Sequence, residues 1–80
     1  MHIKILGTGC AKCQKLESSV KELVKKQGID AIITKVTDIQ EIMSFGIMMT
    51  PGLVINEKVV SSGSIPKESQ ILSWINEGLS

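Results

Sequence analysis

Gly7-Thr8-Gly9-Cys10-Ala11-Lys12-Cys13 decides how the rest of the chain is read, because the two cysteines of the sequence stand three positions apart where an apolar strand gives way to a helical pattern. Two thiols at that spacing can close a small disulfide or share one soft metal ion. Two unrelated buried cysteines would not be expected to meet at one strand-to-helix junction, so the stretch is a candidate site. Upstream, His2 to Leu6 alternates as a short strand, with Ile3 and Ile5 on one face and Lys4 and Leu6 on the other. His2 could supply a third metal ligand, but at the start of a strand it reads better as a partly exposed residue. Downstream, Cys13, Leu16, Val20, Leu23 and Val24 recur at intervals of three and four, which predicts a helix from Cys10 to about Gln27, closed by Gly28. Cys13 then points into the core. Cys10 stands at the helix start, where backbone N–H groups without helical partners and the positive end of the helix dipole favour a thiolate, so the two sulfurs are inequivalent. Lys12 and Lys15 add positive charge nearby. Glu17 with Lys21 and Glu22 with Lys26 read as i,i+4 pairs on a solvated face.

Further along, Ile29 to Thr37 is rich in β-branched residues and predicts a second strand, completing a βαβ unit that must be right-handed with parallel strands if both strands join one sheet. Asp38 with Glu41 resembles a capping box that opens a short helix with the stripe Ile39, Ile42 and Met43, ended by Gly46. Pro51 lies just ahead of the apolar run Leu53-Val54-Ile55, where its missing N–H suits the start of a strand better than its interior. Met48 and Met49 are readable as core filling or as an adaptable apolar rim beside the cysteines. Asn56-Glu57 predicts a tight antiparallel hairpin into Lys58-Val59-Val60. After Ser61-Ser62-Gly63-Ser64, Pro66 suits the first position of a terminal helix whose stripe is Ile71, Leu72, Ile75 and Leu79, with Trp74 at its edge as a lid on the core.

Eighty residues predict one domain, 1–80, with a single thin core. An apolar fraction of 42% with 21% charged residues argues against disorder. A net charge of +1, with no tyrosine, one Phe and one Trp, leaves neither the basic stripe nor the stacking aromatics that nucleic acid requires. No apolar run approaches the roughly 20 residues that span a bilayer, and the N-terminus runs directly into a strand without a signal-peptide pattern, so a cytoplasmic protein without membrane partners is expected. In that reducing compartment a C-x-x-C motif is more often redox-active or metal-binding than a static staple.

The order β-α-β-α-β-β-α, with C-x-x-C after the first strand and a proline before the third, resembles the thioredoxin-like superfamily in its minimal, glutaredoxin-sized form. It is most similar to the small "redox-active disulfide" proteins of archaea and bacteria, whose Gly-Thr-Gly-Cys-x-x-Cys is matched by Gly7, Thr8, Gly9, Cys10 and Cys13, whose x-Pro-Gly is matched by Thr50, Pro51 and Gly52, and whose late glycine is matched by Gly63. The resemblance implies a four-stranded mixed sheet flanked by three helices and a thiol-disulfide oxidoreductase that exchanges a Cys10–Cys13 disulfide with protein disulfides. It makes Cys10 the attacking cysteine and Cys13 the resolving one. Pro51 becomes a cis proline facing the disulfide, and the backbone of Thr50 pairs with an extended substrate segment. Gly9, Ala11 and Lys12, which flank the thiols, complete the substrate-binding surface. No cofactor and no metal are implied, and the expected partners of this monomer are a protein disulfide and an upstream reductase. Where larger thioredoxins carry Trp before the first cysteine and Gly-Pro between the two, this chain has Gly9 and Ala11-Lys12. Lys4 occupies the place of the family's buried acid, and Ser62-Gly63-Ser64 replaces the Gly-Gly and acidic cap with which glutaredoxins hold glutathione.

Two other functions share parts of this pattern. A Cu(I) chaperone of the heavy-metal-associated type also places C-x-x-C between a first strand and a helix, but it should end in a strand after its second helix, whereas this chain ends in the helical stripe Ile71 to Leu79, and it needs no proline at position 51. A non-catalytic module would use the groove beside Cys10 and Pro51 to bind a protein partner. A structural zinc site is poorly served, since two cysteines supply only half of a closed tetrahedron.

Overall fold

A computed structural model describes residues 1–79, of Leu79 the backbone alone, so the expected place of the Leu79 side chain on the terminal stripe falls outside the described residues. The elements run β1 (His2–Leu6), α1 (Ala11–Lys26), β2 (Ile32–Val36), α2 (Ile39–Ser44), β3 (Gly52–Ile55), β4 (Lys58–Ser62) and α3 (Glu68–Leu79). This is the expected order. The strands form one mixed sheet in the order β2-β1-β3-β4. β1 pairs in parallel with β2 and antiparallel with β3, and β3 pairs antiparallel with β4.

The period of two along the central strands sorts the core into two layers. Ile3 and Ile5 of β1, with Leu53 and Ile55 of β3, pack against Leu16, Val20 and Leu23 of α1 and Ile71 and Ile75 of α3. On the other face Leu6, Val36 and Val54 pack against Ile42 of α2 and Ile47 after it, with Phe45 and Val59 at the margin. β3 is buried along its whole length because it lies between two strands and two helical layers. Trp74 is half-buried over the larger cluster, in keeping with its expected role as a lid.

Local chemistry sets the boundaries. α1 ends in a Schellman motif: Gly28, at φ +64°, donates its N–H to the Lys25 carbonyl at 3.3 Å, and Ile29 donates to the Val24 carbonyl at 3.0 Å. That bond commits Ile29 to the cap, so β2 begins at Ile32 and not at Ile29. α3 likewise starts at Glu68 and not at Pro66. Lys67 acts as its cap, its carbonyl accepting from Gln70 and Ile71, while the Gln70 side chain accepts the Lys67 N–H at 3.3 Å. The Asn56-Glu57 turn has both residues at positive φ, +50° and +68°, as a type I′ hairpin needs. The α2 stripe departs from expectation. Only Ile42 is buried, and Ile39 and Met43 are 61% and 65% exposed, because a six-residue helix followed by the turn at Gly46 brings Ile47 into the core space a longer stripe would have filled.

Candidate active site

The strand-to-helix junction places the cysteines as their spacing implied. Cys10 is the N-cap of α1, with extended backbone, and its sulfur accepts the Cys13 N–H at 3.3 Å. That bond occupies one of the N–H groups that every helix start leaves without a helical partner. Cys10 is exposed, Cys13 is only 5% exposed, and their sulfurs are joined in a disulfide with the Cα atoms 5.1 Å apart. Gly9 turns the chain at φ +94°, a conformation that favours glycine, and its carbonyl accepts from the Gln14 side chain at 3.2 Å. Ala11 and Lys12 open the helix on its exposed side.

The antiparallel register brings the second sequence stretch to the same place. Leu6 pairs with Gly52, which carries Pro51 alongside the loop that begins at Gly7. The Thr50–Pro51 peptide bond is cis, as the resemblance implied, and Pro51 is fully buried, with its carbonyl held by the Gly63 N–H at 2.8 Å. Gly7 makes room for this meeting. A Cβ at that position would fall against the Cys13 sulfur and 3.9 Å from the Thr50 Cβ, although nothing about the Gly7 backbone itself demands glycine. In the sequence Gly7 is the first residue of the matched Gly-Thr-Gly-Cys-x-x-Cys motif, but nothing there shows that it makes room for the Cys13 sulfur.

Electrostatically the site is sparse. Among the described residues none that is polar or charged is fully buried, so no buried carboxylate stands beside Cys13. The Lys4 ammonium reaches the Glu57 carboxylate at 2.9 Å and lies 5.2 Å from the Phe45 ring centre. Glu57 belongs to the β3–β4 turn, at the end of the sheet away from the thiols, and its carboxyl is held below the ordinary range, chiefly by its hydrogen bond from Lys4. His2 is similarly occupied, its Nε2 lying 2.8 Å from the Thr34 hydroxyl.

Beside the thiols lies a groove of about 320 Å³ between α2 and the loop that leads to Pro51. It is lined by Thr8 and Thr50, by the exposed side chains of Ile39, Met43 and Met48, and by the buried Ile42. Met48 is 99% exposed and Met49 65%, so neither fills the core, and Met48 lines the groove while Met49 lies against Gly63. Ile39 and Met43 join Met48 there, a placement that helical periodicity alone pointed the wrong way.

Residues 1–76 match the thioredoxin domain family. The chain belongs to the thioredoxin family. It is 44% identical over 69 residues to a thioredoxin of Methanocaldococcus jannaschii, covering 86% of this chain and 79% of that one, and 38% identical over 71 residues to a thioredoxin of Methanothermobacter thermautotrophicus, covering 89% and 92%. Among solved structures it is similar to the germline-specific thioredoxin Deadhead of Drosophila melanogaster, with a TM-score of 0.62 at 17% identity over 95% of this chain and 78% of that one, a likeness of fold. As a member of the thioredoxin family, with its C-x-x-C pair closed in a disulfide, it is a thiol-disulfide oxidoreductase. α3 stands where a heavy-metal-associated domain is expected to carry its last strand.

Proposed function

We propose that Cys10 is the nucleophile of this thioredoxin-family protein and Cys13 its resolving partner, acting on disulfides of other proteins. The observation that carries this reading is the contrast between an exposed sulfur at a helix N-cap and a buried sulfur one turn later. In the reduced form the Cys13 N–H that already reaches Cys10 would stabilise a Cys10 thiolate, reinforced by the helix dipole. That thiolate attacks a substrate disulfide, forming a Cys10–substrate bond and expelling one substrate thiolate. Cys13 then attacks Cys10, closes the intramolecular disulfide and releases the second thiolate, so two electrons pass from the dithiol to the substrate. With no carboxylate buried beside Cys13 among the described residues, the departing substrate thiolate is the base at hand for the Cys13 proton. Thr50 and Pro51 offer backbone to an extended substrate segment, Gly9, Ala11 and Lys12 flank it, and the groove edged by Met43 and Met48 receives its apolar side chains.

No cofactor takes part, an upstream dithiol reductase restores the thiols, and the protein works as a cytoplasmic monomer without nucleic-acid or membrane partners. Among the described residues no helix is long and apolar enough to cross a membrane. Equilibration in glutathione redox buffers, read by alkylation of open thiols, tests the exchange reading. A single two-electron transition of the Cys10/Cys13 couple is expected, and a pair that instead stays closed in excess dithiothreitol, or opens only to capture Cu(I), would refute it.

A further inference from the structure

The groove beside the disulfide is edged with oxidisable sulfur. Met43 and Met48 line it, Met48 is 99% and Met43 65% exposed, and both lie beyond the core packing that ordinarily shelters a thioether. Met1, by contrast, is half-buried against the larger core cluster. A solvent-open thioether takes an oxygen atom from a hydroperoxide: a sulfur–oxygen bond forms, the peroxide O–O bond breaks, the sulfur loses two electrons to become a sulfoxide, and hydrogen peroxide is reduced to water. The product is polar and chiral where the wall was apolar and adaptable. While the Cys10–Cys13 disulfide is closed there is no thiolate for the same oxidant to attack.

We propose that Met43 and Met48 form a peroxide modification site whose oxidation weakens capture of protein disulfides with apolar flanks and leaves the thiol chemistry itself intact. This rests on the reading that the flanks of a substrate disulfide lie in the groove. It ties the protein's reach for its partners to the oxidant level, separately from the state of its cysteines.

The test treats the closed-disulfide protein with hydrogen peroxide, removes the peroxide, reopens the cysteines with dithiothreitol and locates added oxygen by mass spectrometry. Exchange is then measured on insulin, as a protein disulfide, and on dithiobis(nitrobenzoic acid), as a small one. We expect Met48 and Met43 to gain oxygen ahead of Met1 and the KM for insulin to rise about fivefold or more, while the rate on the small disulfide changes less than about twofold. The double variant Met43→Leu with Met48→Leu, compared with itself before and after peroxide, should hold its insulin KM within about twofold. Full oxidation of Met43 and Met48 with no change in insulin KM overturns the proposal, as does equal peroxide sensitivity of the leucine variant. Untreated protein that reduces neither disulfide overturns the exchange reading, and this proposal with it.

Discussion

At the scale of single residues, the site is an arrangement of space as much as of chemistry. Cys10 and Cys13 differ in exposure, so in the reduced protein iodoacetamide should label Cys10 well ahead of Cys13 at neutral pH, and equal labelling would count against the assigned roles. Cys13→Ser should trap a mixed disulfide on Cys10, visible as a covalent adduct on a non-reducing gel, whereas Cys10→Ser should lose exchange activity altogether. Gly7 is the quieter determinant. Because a Cβ there meets the Cys13 sulfur, Gly7→Ala should displace Cys13 and slow release of the mixed disulfide, while adding a methyl group to a packed site costs about 1–3 kcal/mol. Single-turnover kinetics separates the two steps, since the attack by Cys10 should be changed far less than the resolution by Cys13.

Among the elements, β3 and α1 set what the fold tolerates. Leu53 is fully buried between two layers, so Leu53→Ala should cost about 2–5 kcal/mol in denaturant unfolding, whereas Ile32 on the edge strand β2 is 68% exposed and its alanine variant should cost less than about 1 kcal/mol. α1 is also fastened to β2 by charge: the Glu17 carboxylate lies 3.1 Å from the Lys21 ammonium and 3.5 Å from that of Lys35. The hydrogen bond from Lys21 is the main reason its carboxyl ionises more readily in the fold than its ordinary value of 4.5. The contribution is therefore complete above that value and is lost as pH falls through the lower folded one. A Glu17→Gln variant should be less stable than the parent at neutral pH and converge with it in acid, and a stability gap independent of pH would contradict this. The strands and helices were legible in the sequence because periodicity and glycine placement report on them directly. The starts of β2 and α3 were not, because backbone bonds at Ile29 and Lys67 decided them, and bonds of that kind leave no mark on hydropathy. The same holds within the site: the cysteines could be placed from their spacing and Pro51 from the family resemblance, while Gly7, Ile39 and Met43 take their meaning from neighbours distant in sequence.

For the molecule as a whole, a small core on each face of one sheet must hold the site in both redox states. The cysteines are only three positions apart, so by loop entropy the disulfide stabilises the fold by about 2 kcal/mol at most. The reduced protein should accordingly stay folded, with its unfolding midpoint lowered modestly, and loss of cooperative unfolding on reduction would show that the two core layers are weaker than their packing suggests. The spacing of the thiols has one more consequence, in time. Under the proposed roles, a protein joined to Cys10 competes with a thiol tethered 5.1 Å away, Cα to Cα, on the same helical turn. Such a tethered group acts at an effective concentration at least on the order of millimolar. The lifetime of the covalent encounter is then written into the chain and depends little on thiols in the surroundings. Recognition need last only that long, so a shallow groove and a short run of backbone suffice where a lasting complex would demand a broad interface.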